Sequence, residues 1–451
     1  MKSNKLRLVS TESSRLINLS IPIILAQIGN ILLNLVDTYI VGQYNAVELA
    51  GVAAGNSIFS TIFMAGFGML MGLDPLLTRM QAKGENDQLR RLLGQSVYLS
   101  LVIGIACLPI AFFGHYIFPL IGAEADLTSS AESYLKTVIF SLPFALVFVA
   151  YQRYWQALES PYLVTWVILL SNLVNYFLNS ILVPGFGSIP AFGATGAGLA
   201  TLGCRIFQLI AIIYFGNRLA KKRAQALPSI RECLKANKEF LLPLLKIGSP
   251  ASLQMTFEVF AFNAGAFIAA KLGTLQLAGH HIVLQIVSFT FMFPVGIATA
   301  TAVRVGVYNG KEDHDKARLT GWLGIGFAAL VMACFALLLL TAPKTLITIF
   351  TSDEEVIAIA LGITFLCAVF QIVDGIQVAA ASALRGLGNT KISLVTNFCC
   401  FYLCGLPLAI YLSLYTSLGI KGLWIGLATS LFLTAIANTS AWFWYSLFNE
   451  D

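Results

Sequence analysis

The chain has 451 residues, of which 57% are apolar and only 11% charged, and its mean hydropathy is +0.80. A soluble domain carries roughly a quarter charged residues, and a globule of this size needs a polar surface that this composition does not supply. The expected solvent is therefore lipid, and a water-soluble enzyme is not the expected class. The net charge of +6 comes from 28 Lys and Arg spread between apolar runs, which points away from nucleic acid as a partner. The first apolar stretch is long and lacks a small-x-small cleavage site, so no signal peptide is expected.

A hydrocarbon core about 30 Å thick takes about 20 apolar residues per helix. Windows of that length are predicted at 16–41, 50–78, 92–113, 134–158, 162–183, 196–217, 247–270, 277–303, 319–341, 356–383, 392–415 and 422–447. The runs do not alternate as barrel strands would, so an all-α integral membrane fold with twelve transmembrane helices is expected. Lys and Arg favour one set of loops. The first tail holds Lys2, Lys5, Arg7 and Arg15, and Arg79, Lys83, Arg90 and Arg91 follow span two. The segment after span six is densest, with Arg218, Lys221, Lys222, Arg223, Arg231, Lys235, Lys238 and Lys246. Arg304, Lys311, Lys316 and Arg318 follow span eight, then Arg385 and Lys391, whereas the alternate loops hold little beyond Lys136, Lys271, Lys344 and Lys421. By the positive-inside rule both termini are cytoplasmic.

A shift of 228 residues carries Pro22 onto Pro250 and Leu49-Ala50-Gly51 onto Leu277-Ala278-Gly279. The correspondence continues with small slips: Gly84 to Asp87 against Gly310 to Asp313, and Gly193 and Gly196 against Gly419 and Gly422. The chain thus reads as a duplication, with expected lobes 1–224 and 225–451, each of six helices. Repeats of even span number share one orientation about an axis along the membrane normal. Two pseudo-symmetric lobes around a central cleft, opened alternately to each side, are the expected architecture of a transporter.

Ionisable residues inside hydrocarbon are costly and mark function by default. In span one, Gln27, Asn30, Asn34 and Asp37 are spaced three, four and three apart, which puts them on one helical face. In span five, Asn172, Asn175 and Asn179 share a face and offer amide oxygens to a protonated carboxyl or a hard cation. The second half carries Gln254 and Glu258 in span seven, and Gln371, Asp374 and Gln377 in span ten. By the same shift Glu258 corresponds to Asn30 and Asp374 to Leu146, so the acids have diverged between halves.

The candidate coupling residues are Asp37, Asn175, Asn179, Glu258 and Asp374, with sodium or a proton as the ion. Gln27, Asn30, Asn34, Gln254, Gln371 and Gln377 are candidate cleft-lining residues. The competing expectations are pairing of each acid with a basic residue, Arg385 in the case of Asp374, and helix-helix bonding by the span-five amides. Asp74 is expected to be a solvated boundary residue, and Arg153 and Arg205 to snorkel or pair.

The eight cysteines (Cys107, Cys204, Cys233, Cys334, Cys367, Cys399, Cys400, Cys404) show no CxxC pair and are expected to be buried, inert thiols. His115, His280, His281 and His314 have no metal-ligand spacing. No GxSxG, HExxH or paired-Asp catalytic motif is present, so no enzymatic activity and no cofactor are expected.

The stretches Pro22 through Asp37 to Gly42, Gly248 to Pro250 with Gln254 and Glu258, Phe293 to Gly296 leading to Val303 to Gly306, Gln371 to Gln377, and Leu384 to Thr390 together carry a resemblance. Across nearly all twelve helices the chain resembles the multidrug and toxic compound extrusion (MATE) family, in its NorM-like bacterial branch. The resemblance implies a secondary active antiporter of the bacterial cytoplasmic (inner) membrane. It would export small amphipathic, mainly cationic drugs or toxins in exchange for Na+ or H+ by alternating access, and a functional monomer is expected. It also implies essential acids at Asp37, Glu258 and Asp374, with Asn175 and Asn179 helping to form an ion site.

One departure is Phe370, where some sodium-using members resemble each other in having a tyrosine; another is His281 beside His280. Phe257, Phe262, Phe289 and Phe291 are weak candidates for substrate contact by cation-π attraction. The alternative is a lipid-linked oligosaccharide or lipid flippase of the same superfamily, which would want Arg and Lys for a pyrophosphate; the ionisable residues inside the spans are mainly acidic.

Overall fold

The computed structural model describes residues 2–113, 116, 125–223 and 225–448; His115 and the repeat boundary at 224 lie outside them. Among the described residues, twelve helices are long and apolar enough to cross a membrane. They are Leu6–Tyr44, Ala46–Ala82, Asn86–Ile110, Leu127–Ala157, Pro161–Leu182, Gly193–Lys222, Lys238–Leu272, Thr274–Gly310, His314–Thr341, Glu354–Gly386, Lys391–Leu414 and Ile420–Tyr445, spans one to twelve in order.

Each expected window falls on one of these helices, and most helices outrun their window, because backbone hydrogen bonding does not stop where hydropathy falls. Local chemistry sets several of the ends. Asn45 caps span two by accepting from the Val47 and Glu48 N–H groups, and Asp353 caps span ten by accepting from those of Glu355 and Val356. Span two turns at Met71 and Gly72 before helix resumes at Leu73.

Packing divides the chain into two compact units that interleave along the sequence. One comprises Met1–Gln27, Asp74–Lys83 and Leu253–Asp451, the other Ile28–Leu73 and Gly84–Ser252. These differ from the 1–224 and 225–451 repeats, because the first turns of span one and the end of span two pack with second-half helices. The first unit has a core around Phe370, Phe401 and Trp424, with Ile363, Cys367 and Leu423. It also holds a buried ion cluster: Glu12 lies 2.7 Å from Arg304, and Tyr308 donates its hydroxyl to Glu12 at 2.6 Å. The other unit buries Leu146, Tyr154 and Trp155 of span four and Leu92 and Leu93 of span three.

The duplication is visible in the backbone. Gly193 and Gly419, which open spans six and twelve, have φ of 54° and 53°, a conformation that a side chain disfavours. At Gly193 an added Cβ would also lie 2.9 Å from the carboxyl carbon of Glu48, whose oxygen accepts from the Ala194 N–H at 2.7 Å. Gly51 and Gly279 are the second matched pair. A Cβ on Gly51 would lie 2.5 Å from Ser130 Cβ of span four, and one on Gly279 would lie 2.7 Å from Ile359 Cγ2 of span ten. The same helix pair approaches through the same glycine in both repeats.

The cysteines depart from expectation. All eight are free, but only Cys204 and Cys367 are buried, while Cys334 and Cys404 are exposed. A helix in lipid turns apolar side chains outward, so an apolar neighbourhood in sequence does not imply a core position.

Gly51→Leu should force spans two and four apart and lower the thermal midpoint in detergent, by an overpacking cost of about 1–3 kcal/mol. Gly326→Leu, at a position with no atom near the added Cβ, should leave the midpoint unchanged.

Candidate functional site

Asp37 is 7% exposed, and its neighbours come from spans five and six. Asn175 and Asn179, one turn apart, donate their amide N–H groups to Asp37 Oδ1 at 2.9 and 2.7 Å. Thr201 donates its hydroxyl to Oδ2 at 3.2 Å. Both amides are buried, and the Oδ1 atoms of Asn175 and Asn179 have no donor among the described residues.

Among the described residues, no Lys or Arg makes an ion pair with Asp37. Arg205 acts on it only through space, since its guanidinium donates to Gln208 Oε1 at 2.9 Å and lies 5.8 Å over the Phe63 ring. The carboxylate is thus removed from water with neutral partners only, although burying a charge costs several kcal/mol unless a partner compensates it. Carboxamide groups suit two states of such an acid. Their N–H ends donate to the carboxylate, and rotated by half a turn their oxygens accept from a carboxylic acid or coordinate a hard cation.

The acids of the second half form a separate cluster. Asn397 of span eleven donates to Glu258 Oε2 at 3.2 Å, and the Tyr402 hydroxyl donates to the Phe257 carbonyl at 2.9 Å. Asp374 is 4% exposed, its Oδ1 has no hydrogen-bond partner among the described residues, and it feels the charge of Glu258. Gln371 donates to Thr290 Oγ1 at 3.1 Å, while its Oε1 and that of Gln377 are buried without a donor among the described residues. Arg385 does not serve Asp374. Its Nε lies 3.4 Å from Asp74 Oδ2. Asp74 is accordingly 2% exposed, which corrects the expected solvated boundary residue: burial of Arg385 at the end of span ten supplies the counter-charge that makes burial of the acid tolerable.

Of the remaining candidates, Gln27, Asn30 and Gln254 are half-buried and Asn34 is exposed. Phe262 packs edge-on against Phe370 and near Phe401, a core role. Phe257 contacts Phe398 and Tyr402, Phe291 is half-buried, and Phe289 is exposed. Phe370 is buried against Trp424, with ring centroids 5.4 Å apart. His280 is buried beside Trp424, and His281 is exposed. Arg153 is buried and lies 4.8 Å over the Phe67 ring.

Thr201, Thr290 and Asn397 were missed from sequence. Asn397 had a signal. Span five bonds span one through Asn172, which donates to the Gly29 carbonyl at 3.1 Å, as well as through the two amides on Asp37. The duplication then calls for an amide of span eleven facing span seven, which is the role Asn397 plays.

The MatE family model matches this chain twice, over residues 22–181 and 250–411. The chain belongs to the MatE family. The starts of the two matches are related by the same shift that carries Pro22 onto Pro250, so each repeat is a MatE unit. The chain is 31% identical over 434 residues to the probable multidrug resistance protein NorM of Photorhabdus laumondii, covering 94% of each. It is 28% identical over 448 residues to the multidrug resistance protein NorM of Vibrio cholerae, covering 98% of this chain and 97% of that one. Among solved structures, a multidrug resistance MATE family transporter of the MOP superfamily in an outward-facing conformation superposes with a TM-score of 0.87 at 20% identity, covering 96% of each chain. The MatE fold and twelve helices of a multi-pass membrane protein are therefore established for this chain.

The structural and candidate functional acids of this MatE chain should separate by stability. Asp74→Asn removes the carboxylate paired with the buried guanidinium of Arg385 and should cost about 3 kcal/mol, seen as a lower thermal midpoint. Asp374→Asn removes a buried charge with no cation partner among the described residues and should hold the midpoint or raise it.

Proposed function

We propose that this protein is a secondary active multidrug efflux antiporter of a bacterial cytoplasmic membrane, with both termini cytoplasmic. It exports amphipathic, mainly cationic compounds by alternating access in exchange for Na+ or H+. The observation that carries this reading is Asp37, a buried carboxylate bonded to two carboxamides and a hydroxyl and, among the described residues, to no basic side chain. A permanently paired acid has no reason to bind an ion; one held by neutral dipoles gains by taking up a proton or sodium. The names of the relatives support a drug-like cargo, and the buried carboxylates of Asp37 and Asp374, which make no ion pair with a basic residue among the described residues, support a positive charge on it.

Coupling follows from differential binding. A ligand shifts an equilibrium between conformations only by its difference in affinity for them. Ion uptake at Asp37 changes the net charge of the cluster by one unit and calls for rotation of the Asn175 and Asn179 amides. The helices that carry these groups then favour a different arrangement. Glu258 and Asp374 offer a second site for an ion or for a cationic cargo, with Asn397, Gln371 and Gln377 as its neutral partners. The flippase alternative wants guanidinium or ammonium groups free for a pyrophosphate, whereas Arg153 lies over Phe67 and Arg205 is held by Gln208 and Phe63.

In everted vesicles, ethidium uptake driven separately by a sodium and a proton gradient should fall at least about tenfold in Asp37→Asn, a loss of about 1.4 kcal/mol or more, and should also fall in Glu258→Gln. Full gradient-driven exchange in both variants rejects the coupling role. Failure of wild-type protein to move any cationic dye under either gradient rejects the cargo class.

A further inference from the structure

The segment between spans six and seven is built rather than merely connecting. Its short helix Ile230–Leu234 is closed by a reciprocal cap between Ser229 and Glu232. Gln95 of span three, itself 4% exposed, fastens the segment. Its amide donates to the carbonyls of Glu232 at 3.1 Å and Lys235 at 2.8 Å, and its oxygen accepts from the Asn237 N–H at 2.7 Å. The docking leaves a cavity of about 470 Å³ whose charged lining is Arg91, Arg231, Glu232, Lys235 and Lys238.

The charges of this cavity do not balance. Arg91 pairs with Asp87 at 2.9 Å. Glu232 is committed elsewhere: it accepts from the Ser229 N–H and hydroxyl and pairs with Arg90 at 3.2 Å. Those bonds, with the Ser229 backbone N–H first, hold its carboxyl below its ordinary range, so it stays ionised in this arrangement. Arg231, Lys235 and Lys238 are left without an acidic partner among the described residues. The apolar residues add a direction. Ile230 and Leu234 are one turn apart, on one face of the short helix, and are 79% and 63% exposed. Apolar side chains beside a basic patch are the pattern of a segment lying in a membrane interface. Six spans precede the segment, so it lies on the same side of the membrane as the amino terminus.

We propose that this cavity binds an anionic phosphate group, the chemistry presented by a phospholipid headgroup or by free phosphate, through Arg231, Lys235 and Lys238. The exposed Ile230 and Leu234 favour the headgroup as its source, since they would enter the acyl boundary around it.

The test is titration of the full-length protein in detergent, followed by native mass spectrometry, with short-chain phosphatidylglycerol, short-chain phosphatidylcholine and inorganic phosphate in turn. Phosphatidylglycerol should bind saturably and more tightly than phosphatidylcholine. The triple variant Arg231→Gln, Lys235→Gln, Lys238→Gln should weaken it on the order of a hundredfold. A control with the same charge change at Lys271, Lys344 and Lys421 should bind as wild type. Ile230→Ser with Leu234→Ser should weaken phosphatidylglycerol and leave inorganic phosphate unchanged; inorganic phosphate binding as tightly as the lipid would support the phosphate site with the free ion as its source. Equal phosphatidylglycerol affinity in wild type and the triple variant, or an equal loss in the control, overturns the proposal. Should the triple variant fail to fold, wild-type binding that does not weaken as salt is raised overturns it as well.

Discussion

The structure is organised around the cost of keeping a carboxylate out of water. Two solutions to that cost stand side by side in this chain. Glu12 with Arg304 and Asp74 with Arg385 are acids buried against guanidinium groups, and these pairs belong to the framework. Asp37 is buried against amides and a hydroxyl, and one oxygen of Asp374 has no hydrogen-bond partner among the described residues. The first kind is satisfied in one charge state. The second kind has no counter-charge in hydrogen-bond or ion-pair contact among the described residues, and the Oδ1 atoms of Asn175 and Asn179 beside Asp37 have no donor there either.

The repeat gives this chemistry its frame and then departs from it. Spans one and five meet through Asp37 with Asn175 and Asn179, and spans seven and eleven meet through Glu258 with Asn397. The helix pair is the same but the depth is not, because Glu258 corresponds to Asn30 rather than to Asp37. The π-helical stretch Cys399–Gly405 in span eleven has no counterpart in span five and shifts the register beyond Asn397. The two acid clusters are therefore not copies.

Much of this was legible in the chain. Hydropathy located every span, since a length of about 20 apolar residues has few other uses. The 228-residue shift marks the duplication, and the spacing of Asn175 and Asn179 by itself puts them on one face. The failures have specific causes. Asp74 read as solvated because its partner Arg385 is far away in sequence and no local pattern announces the pair. Thr201 was hidden because threonine is common in these helices and only the packing of span six beside span one singles it out. Asn34 shares a helical face with Asp37 yet is exposed, because facing direction alone does not say where along its length a helix meets its neighbours.

The most direct measurement is infrared difference spectroscopy of the reconstituted protein, comparing spectra with and without sodium and across a pH step. A carboxyl band that changes on ion uptake in wild-type protein and is absent from the Asp37→Asn spectrum is the expected result. A difference spectrum identical in the two proteins would contradict an ion-responsive carboxylate at position 37.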